Sequence, residues 1–260
     1  MSSRRNVLLS GLALSMVGTT GHAEESPVIA AAADLQGPMP EIVAAFKAQT
    51  GKTVTVTYGS SGQFAQQIPS GAPYQVFLCA DEAYVQNLQA AGFTVGSGAL
   101  YATGRIGLFV PKGSRVKGSA DLRDLAPALR DGRLRKFAIA NPQHAPYGVA
   151  AKEALTKAGV WWAIEPHLVL GENAAQATVF ALSGATEAAI IPYSLALKPD
   201  VRAAGDFTLI SDSWHNPLRQ RAVVLKGATA VARDFFAYLQ TPAARTVFKR
   251  YGFILPGERR

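Results

Sequence analysis

Val28-Ile-Ala-Ala-Ala-Ala33 is an apolar run of strand length. Met39, Ile42, Val43 and Phe46 follow it at helical spacing, and Thr53-Val-Thr-Val-Thr-Tyr58 is a second strand-like run. A switch in apolar repeat from about two to about 3.6 marks a change from strand to helix. The alternation continues outward from this unit. Further strand-like runs lie at 75–79, 106–110, 137–140, 188–191, 207–210 and 222–225. Between or after them, Phe64 with Ile68, Val85 with Leu88, and Val231, Phe235 and Leu239 keep helical spacing. Strands alternating with helices predict α/β layers with largely parallel sheets, and the apolar stripes read as core.

A chain of 260 residues, 48% of them hydrophobic, is large enough for one big core or two smaller ones. Pro111-Lys-Gly-Ser114 and Asn216-Pro217 punctuate the pattern where the chain could cross between lobes. The expected division is residues 24–104 plus 211–260 as one lobe and 105–210 as the other. No internal repeat or low-complexity tract interrupts it.

Residues 1–23 read as an export signal: Arg4 and Arg5 at the start, an apolar stretch from Val7 to Val17, and the small-residue site Gly21-His-Ala23. The mature chain is expected to begin near Glu24. Ser3-Arg-Arg-Asn-Val-Leu8 also has the look of a twin-arginine signal, one of two export routes open to it. No later apolar run reaches membrane-spanning length, so an exported, soluble protein is expected. Cys79 is the only cysteine, which excludes an intramolecular disulfide; within Val76-Phe-Leu-Cys79 it reads as a buried strand residue. The net charge of +8 is dispersed. Its densest cluster, Arg130-Asp-Gly-Arg-Leu-Arg-Lys136, contains an acid and lacks any nucleic-acid-binding pattern, so it reads as a solvated turn.

Catalytic signatures are missing. HExxH, P-loop, GxGxxG and paired-cysteine patterns do not occur. Gly59-Ser-Ser-Gly62 falls short of the nucleophile elbow because Gln63 stands where its last glycine belongs. His144, His167 and His215 have no metal-ligand spacing and read as turn or surface residues. What recurs is a strand, then small or hydroxyl residues, then a helix start: at Ala33-Asp34, Gly59-Ser-Ser-Gly62, Ala145-Pro-Tyr-Gly148 and Glu172-Asn-Ala-Ala175. First-turn amides lack intrahelical partners and carry the positive end of the helix dipole, so several converging on one point bind an anion. Such residues equally begin helices as caps without binding anything.

Several of the same residues carry a resemblance. Val28-Ile-Ala-Ala-Ala-Ala-Asp-Leu35, Tyr58-Gly-Ser-Ser-Gly-Gln63, Gly71-Ala-Pro-Tyr-Gln-Val-Phe-Leu-Cys-Ala-Asp81, Ala140-Asn-Pro-Gln-His-Ala-Pro-Tyr-Gly148, Gly171-Glu-Asn173 and Phe248-Lys-Arg-Tyr-Gly-Phe253 occur in this order. Together they resemble the periplasmic molybdate-binding components of ABC transporters, within the type II periplasmic solute-binding proteins. The resemblance implies a two-lobed α/β fold, each lobe a central mostly parallel sheet flanked by helices, with the ligand cleft between lobes. It implies a monomeric receptor that captures molybdate or tungstate for a membrane permease. No enzymatic activity, cofactor, metal cation or nucleic-acid partner is expected. Ser61 would give its hydroxyl and amide to the oxyanion, and Asp34, Tyr147 and Ala174 a backbone amide each.

Two positions depart from the family pattern. Asp34 stands where serine or asparagine is usual, and a carboxylate beside a dianion is repulsive by about 4 kcal/mol per unit-charge pair at ~4 Å and an effective dielectric near 20. Asp34 is expected to turn away and cap the following helix, although Pro38 and Pro40 make that helix start irregular. Alternatively it accepts a proton from the ligand and selects a protonated oxyanion such as hydrogen phosphate, or a small organic anion. Pro192 aligns with a ligand-binding tyrosine of some relatives; having no N–H, it leaves any contribution to Tyr193. More distant readings are a regulatory effector module and an unrecognised enzyme site around Asp34, Asp81 and Glu82.

Overall fold

In the computed structural model, described over residues 26–258, the alternation becomes two five-stranded sheets. The predicted export segment, 1–23, lies outside the described residues. The chain runs β1 (Val28–Ala32), α1 (Met39–Thr50), β2 (Thr55–Gly59), α2 (Ser61–Gln67), β3 (Tyr74–Cys79), α3 (Glu82–Ala90) and β4 (Thr94–Gly104) in the first lobe. It crosses into β5 (Ile106–Pro111), α4 (Leu125–Arg130), β6 (Phe137–Ala140), α5 (Pro146–Lys157), α6 (Trp161–Ile164), β7 (Leu168–Gly171), α7 (Ala174–Leu182), β8 (Ala188–Pro192), α8 (Tyr193–Ala196), α9 (Pro199–Ala204) and β9 (Gly205–Leu209). It then returns through β10 (Leu218–Leu225) to α10 (Ala230–Tyr238) and α11 (Pro242–Arg250).

The sheet orders are β2-β1-β3-β10-β4 and β7-β6-β8-β5-β9. In each, three neighbouring strands run parallel, and the strand by which the chain enters the sheet from the other lobe runs antiparallel to both its neighbours. Four of the five strands therefore share one sense in each sheet. No helix separates β4 from β5: Gly104-Arg105-Ile106 carries the backbone directly from one sheet into the other.

The strand period of two distributes the core. Ile29, Ala31, Val76, Leu78, Ala222 and Val224 face one cluster, with Phe46, Phe235 and Phe248 from the helices. Their neighbours Ala30, Phe77, Cys79, Val223 and Leu225 face the opposite cluster with Phe64 and Val85. The second sheet divides likewise, Ile106, Leu108, Phe137, Ile139 and Ile190 on one side and Phe109, Ala138, Ala189 and Ile191 on the other. Cys79 is fully buried, as its strand setting implies, and burial pushes its thiol up to about 12.

The sequence pattern misses β4 and β7 and shortens β10. β4 carries Gly96, Gly98 and Gly104 and pairs with β10 through two register shifts, so its side chains do not alternate cleanly. β7 is a four-residue stretch at a sheet edge. β10 starts at Leu218 because Arg219, Gln220 and Arg221 are strand residues with buried or ion-paired partners, not loop. β9 begins earlier than the expected run, at Gly205. In the basic cluster Arg133 bridges Asp124 at 2.6 Å and Asp131 at 2.8 Å, so part of that charge is neutralised locally.

Replacing Phe235, fully buried and 5.2 Å from the Phe46 ring, by alanine should destabilise the protein by about 3–5 kcal/mol in urea titration. Trp162→Ala, at a residue 80% exposed, should change stability by no more than about 0.5 kcal/mol. Similar losses for both would contradict this placement of the core.

Candidate functional site

The C-terminal ends of β1, β2 and β3 face those of β6 and β7 across a small cleft. Ala32, Ala33 and Asp34 line it after β1, Gly59, Ser60 and Ser61 after β2, and Ala80 after β3. From the other lobe come Ala145, Pro146 and Tyr147 at the start of α5, and Asn173 and Ala174 at the start of α7. Strand ends of open α/β sheets are where helix N-termini and close backbone approach coincide. The cleft encloses only about 10 Å3, far below the ~300–1,000 Å3 typical of pockets for drug-sized organic ligands. No lysine or arginine lines it.

The lining is rich in unspent donors. Asn173 caps α7 by accepting from the amides of Ala175 and Gln176 at 3.0 and 3.1 Å, which leaves the Ala174 amide without an acceptor. In α5, Pro146 has no N–H and the amides of Gly148 and Val149 donate to the Ala145 carbonyl, so Tyr147 holds the free first-turn amide. Ser61 opens α2; its amide is likewise unpaired among the described residues. Its hydroxyl oxygen accepts from the Ala80 amide at 3.0 Å, which leaves its own hydrogen free to donate. Three helix starts on two lobes thus present unpaired N–H groups, with an adjacent O–H, to one small space.

Asp34 also lines the cleft, in a short 3-10 turn, Ala33–Gln36, and is wholly buried. It does not cap a helix. Neither this turn nor α1 has a side-chain cap, because two donors already hold the carboxylate. Oδ2 accepts from the Tyr147 hydroxyl at 2.9 Å and from Gln220 Nε2 at 2.7 Å. Gln220 Nε2 also approaches the Tyr147 oxygen at 3.0 Å, and Tyr101 donates its hydroxyl to Gln220 Oε1 at 2.7 Å. Asp34 Oδ1 is buried with no partner. Burial raises the Asp34 carboxyl to about 6; hydrogen bonds from Gln220, Tyr147 and its own amide pull the other way. Gly104 makes room for this network, since a Cβ there would sit 2.2 Å from the Tyr147 hydroxyl.

Of the five residues expected at the site, Asp34, Ser61, Tyr147 and Ala174 converge on the cleft and Tyr193 does not. The Tyr193 amide donates to the Arg105 carbonyl at 2.9 Å, its ring stacks on Phe207 at 5.2 Å, and the Arg105 guanidinium lies over it at 4.8 Å. Arg105 further donates to the Gly252 carbonyl, so Tyr193 belongs to the crossing between lobes. The adjacent Ser194 donates its hydroxyl to the Asp34 carbonyl oxygen at 2.8 Å. Gln220 and Tyr101 are the residues sequence reasoning missed. The only hint is a polar glutamine between two arginines just before an apolar strand run.

The lobes touch along one rim of the cleft. The His144 carbonyl accepts from the Ser60 hydroxyl at 2.5 Å and the Gly62 amide at 2.9 Å, and Gln63 donates to Glu172 at 2.8 Å. His144 is the turn residue its sequence setting suggests and also an interlobe contact, whereas His215 is buried rather than at the surface. Asp81 caps α3, accepting from the Ala83 amide at 2.9 Å, and Glu82 is paired with Arg219 and Arg221.

Comparison with known proteins agrees with this architecture. Residues 27–254 match the family described as bacterial extracellular solute-binding protein. The chain is 36% identical to the molybdate-binding protein ModA of Rhodobacter capsulatus, over 94% of each chain. It is 34% identical to ModA of Azotobacter vinelandii, over 97% of this chain and 99% of that one. The solved periplasmic molybdate-binding protein of Azotobacter vinelandii superposes with a TM-score of 0.80 at 29% identity, covering 89% of this chain and all of that one.

The Asp34 carboxyl has a stability signature. Its folded value, about 6, lies above the ordinary 3.8, so the folded state holds the proton more tightly than the unfolded chain. As pH rises from about 4 to about 6 the unfolded chain ionises first and the folded state loses up to about 3 kcal/mol of stability. The urea stability difference between Asp34→Asn and wild type should therefore shift by about that amount in favour of the variant from pH 4 to pH 7.5. A difference independent of pH would contradict the buried, proton-retaining carboxyl.

Proposed function

The chain belongs to the bacterial extracellular solute-binding proteins, and on that premise we propose that it is the periplasmic receptor of an ABC importer for molybdate, with tungstate as a second ligand. The observation that carries this reading is the convergence of the unpaired Ser61, Tyr147 and Ala174 amides and the Ser61 hydroxyl on one small cleft between the lobes. The Asp34 amide, in the turn after β1, would complete the set by turning from its own carboxyl to the ligand. Relatives at 36% and 34% identity bear the name molybdate-binding protein.

Neutral, preorganised donors suit a ligand that must be released again. Each offers the oxyanion a hydrogen bond in a site shielded from water, without the charge that would trap it. Tetrahedral oxyanions differ chiefly in size, so the rigid backbone at three helix starts discriminates by fit and the smaller sulfate spans the donors poorly. Closure moves residues 24–104 plus 211–260 against 105–210 about the two crossings, at Arg105 and at 211–217. The closed receptor then docks on the permease and hands over its ligand unchanged. Export of the monomer by way of the Arg4-Arg5 signal places it in the periplasm.

One observation favours a second reading. The carboxyl of Asp34 in the cleft wall suits an oxyanion that carries its own proton, such as hydrogen phosphate.

Isothermal titration of the ligand-stripped protein should give tight one-to-one binding of molybdate, competition by tungstate, and weaker or no binding of sulfate and phosphate. Preference for phosphate would select the second reading, and no binding of any of the four would refute both. Ser61→Ala should weaken molybdate binding by about 10- to 100-fold. Gly62→Ala should weaken it as much without contacting the ligand, because the added Cβ would lie 2.5 Å from the His144 carbonyl and hold the lobes apart.

A further inference from the structure

Asp34 poses a problem that binding by amides does not solve. A dianion cannot be enclosed beside an ionised carboxylate in a space without a lysine or arginine. The hydrogen-bond pattern around Asp34 shows how this chain resolves it. Both side-chain donors that reach the carboxyl, the Tyr147 hydroxyl and Gln220 Nε2, end on Oδ2. Gln220 is oriented for this by Tyr101, which donates to its Oε1. Oδ2 is thereby fixed as the acceptor oxygen. Oδ1 is left buried, unpartnered and part of a residue that lines the cleft. A buried oxygen without a donor to accept from is costly as an anion, and becomes useful once it carries a hydrogen.

We propose that Asp34 enters the complex as a neutral carboxylic acid, donating a hydrogen bond from Oδ1 to the bound oxyanion, so that capture of each dianion takes up one proton from solvent. The inference rests on the oxyanion-receptor reading above and adds to it a specificity residue and a proton. The balance is simple: ionised Asp34, one solvent proton and one dianion give a complex with a protonated Asp34 Oδ1 and no change in the ligand's covalent bonds. Tyr147 couples the two events. It donates to Asp34 from the other lobe, so the bond that seats the carboxyl forms only when the lobes are closed.

The groups packed around Asp34 leave it alone to supply the proton-binding site. Tyr147 on α5 and Tyr101 on β4 are raised well above their ordinary value by burial, and Cys79 on β3 to about 12. All three stay neutral from pH 5 to pH 9. Gln220 on β10 and Ser194 on α8 do not titrate. His144 Nε2 lies 3.6 Å from the Glu172 carboxylate at the rim, and neither residue lines the cleft. With the lobes together and no ligand present, Asp34 is raised to about 6 and so is ionised at neutral pH, and an enclosed dianion raises it further.

Titration calorimetry with sodium molybdate in buffers of different ionisation enthalpy counts the protons directly. At pH 8 the wild type should take up close to one proton per ligand, falling towards zero at pH 5. Its affinity should weaken about tenfold per pH unit between pH 6.5 and pH 8.5. Asp34→Asn places an N–H where the acid hydrogen would be, and should bind with no uptake and a flat pH profile. His144→Gln should keep the wild-type proton count. Wild-type binding without uptake at pH 8, or uptake that persists in Asp34→Asn or vanishes in His144→Gln, overturns the proposal while leaving the receptor reading intact. No binding of molybdate at either pH overturns both.

Discussion

One carboxyl with no exposure to solvent sits at the seam between two sheets, held from one lobe by Gln220 and from the other by Tyr147. This buried polar network requires the rest of the structure to be as it is. β10 has to return from the second lobe to deliver Gln220 beside β4, so that Tyr101 can orient it. Gly104 has to be a glycine for the Tyr147 ring to reach across. α5 has to begin at Pro146, after β6, for the same residue to offer a free amide and a hydroxyl to the same cleft. A half-satisfied buried network costs more than an apolar seam, so its persistence here points to a task.

The task follows from what the cleft has and lacks. Helix starts from both lobes supply N–H groups with no other partner, and no positively charged side chain lines the space. Amides fixed at helix termini hold an oxyanion through many modest bonds, each lost when the lobes part. A lysine in their place would bind one oxygen strongly and any anion nearly alike. On the proposed reading, rigid backbone positions give shape selection and the lobe crossing, where Arg105 lies between Tyr193 and the Gly252 carbonyl, is the place about which the lobes would part.

Much of this was legible in the sequence, for identifiable reasons. The strand and helix periods around Val28–Ala32 and Met39–Thr50 read directly because both faces of the first strand are buried and one face of the helix is apolar. The helix starts around Ser61, Tyr147 and Ala174, which line the cleft, were visible because helix starts after strands leave a local signature of small, hydroxyl and proline residues. β4 was not, since its glycines and register shifts erase the alternation. Tyr193 was misplaced because adjacency in sequence to Pro192 says nothing of which way a residue faces; its amide and ring are both used at the crossing. The Asp34 side chain was misread as a cap because its true partners lie 113 and 186 residues away, and no local rule reports such distances.

The most direct test of this account is crystallography of the mature protein with molybdate, with diffraction recorded at the molybdenum absorption edge. A single anomalous peak between the two lobes, within hydrogen-bonding reach of the Ser61 hydroxyl and the Tyr147 and Ala174 amides through the ligand oxygens, with Asp34 Oδ1 on the fourth side, is the expected result. A peak elsewhere on the surface, or an oxyanion held by lysine or arginine side chains, would contradict it.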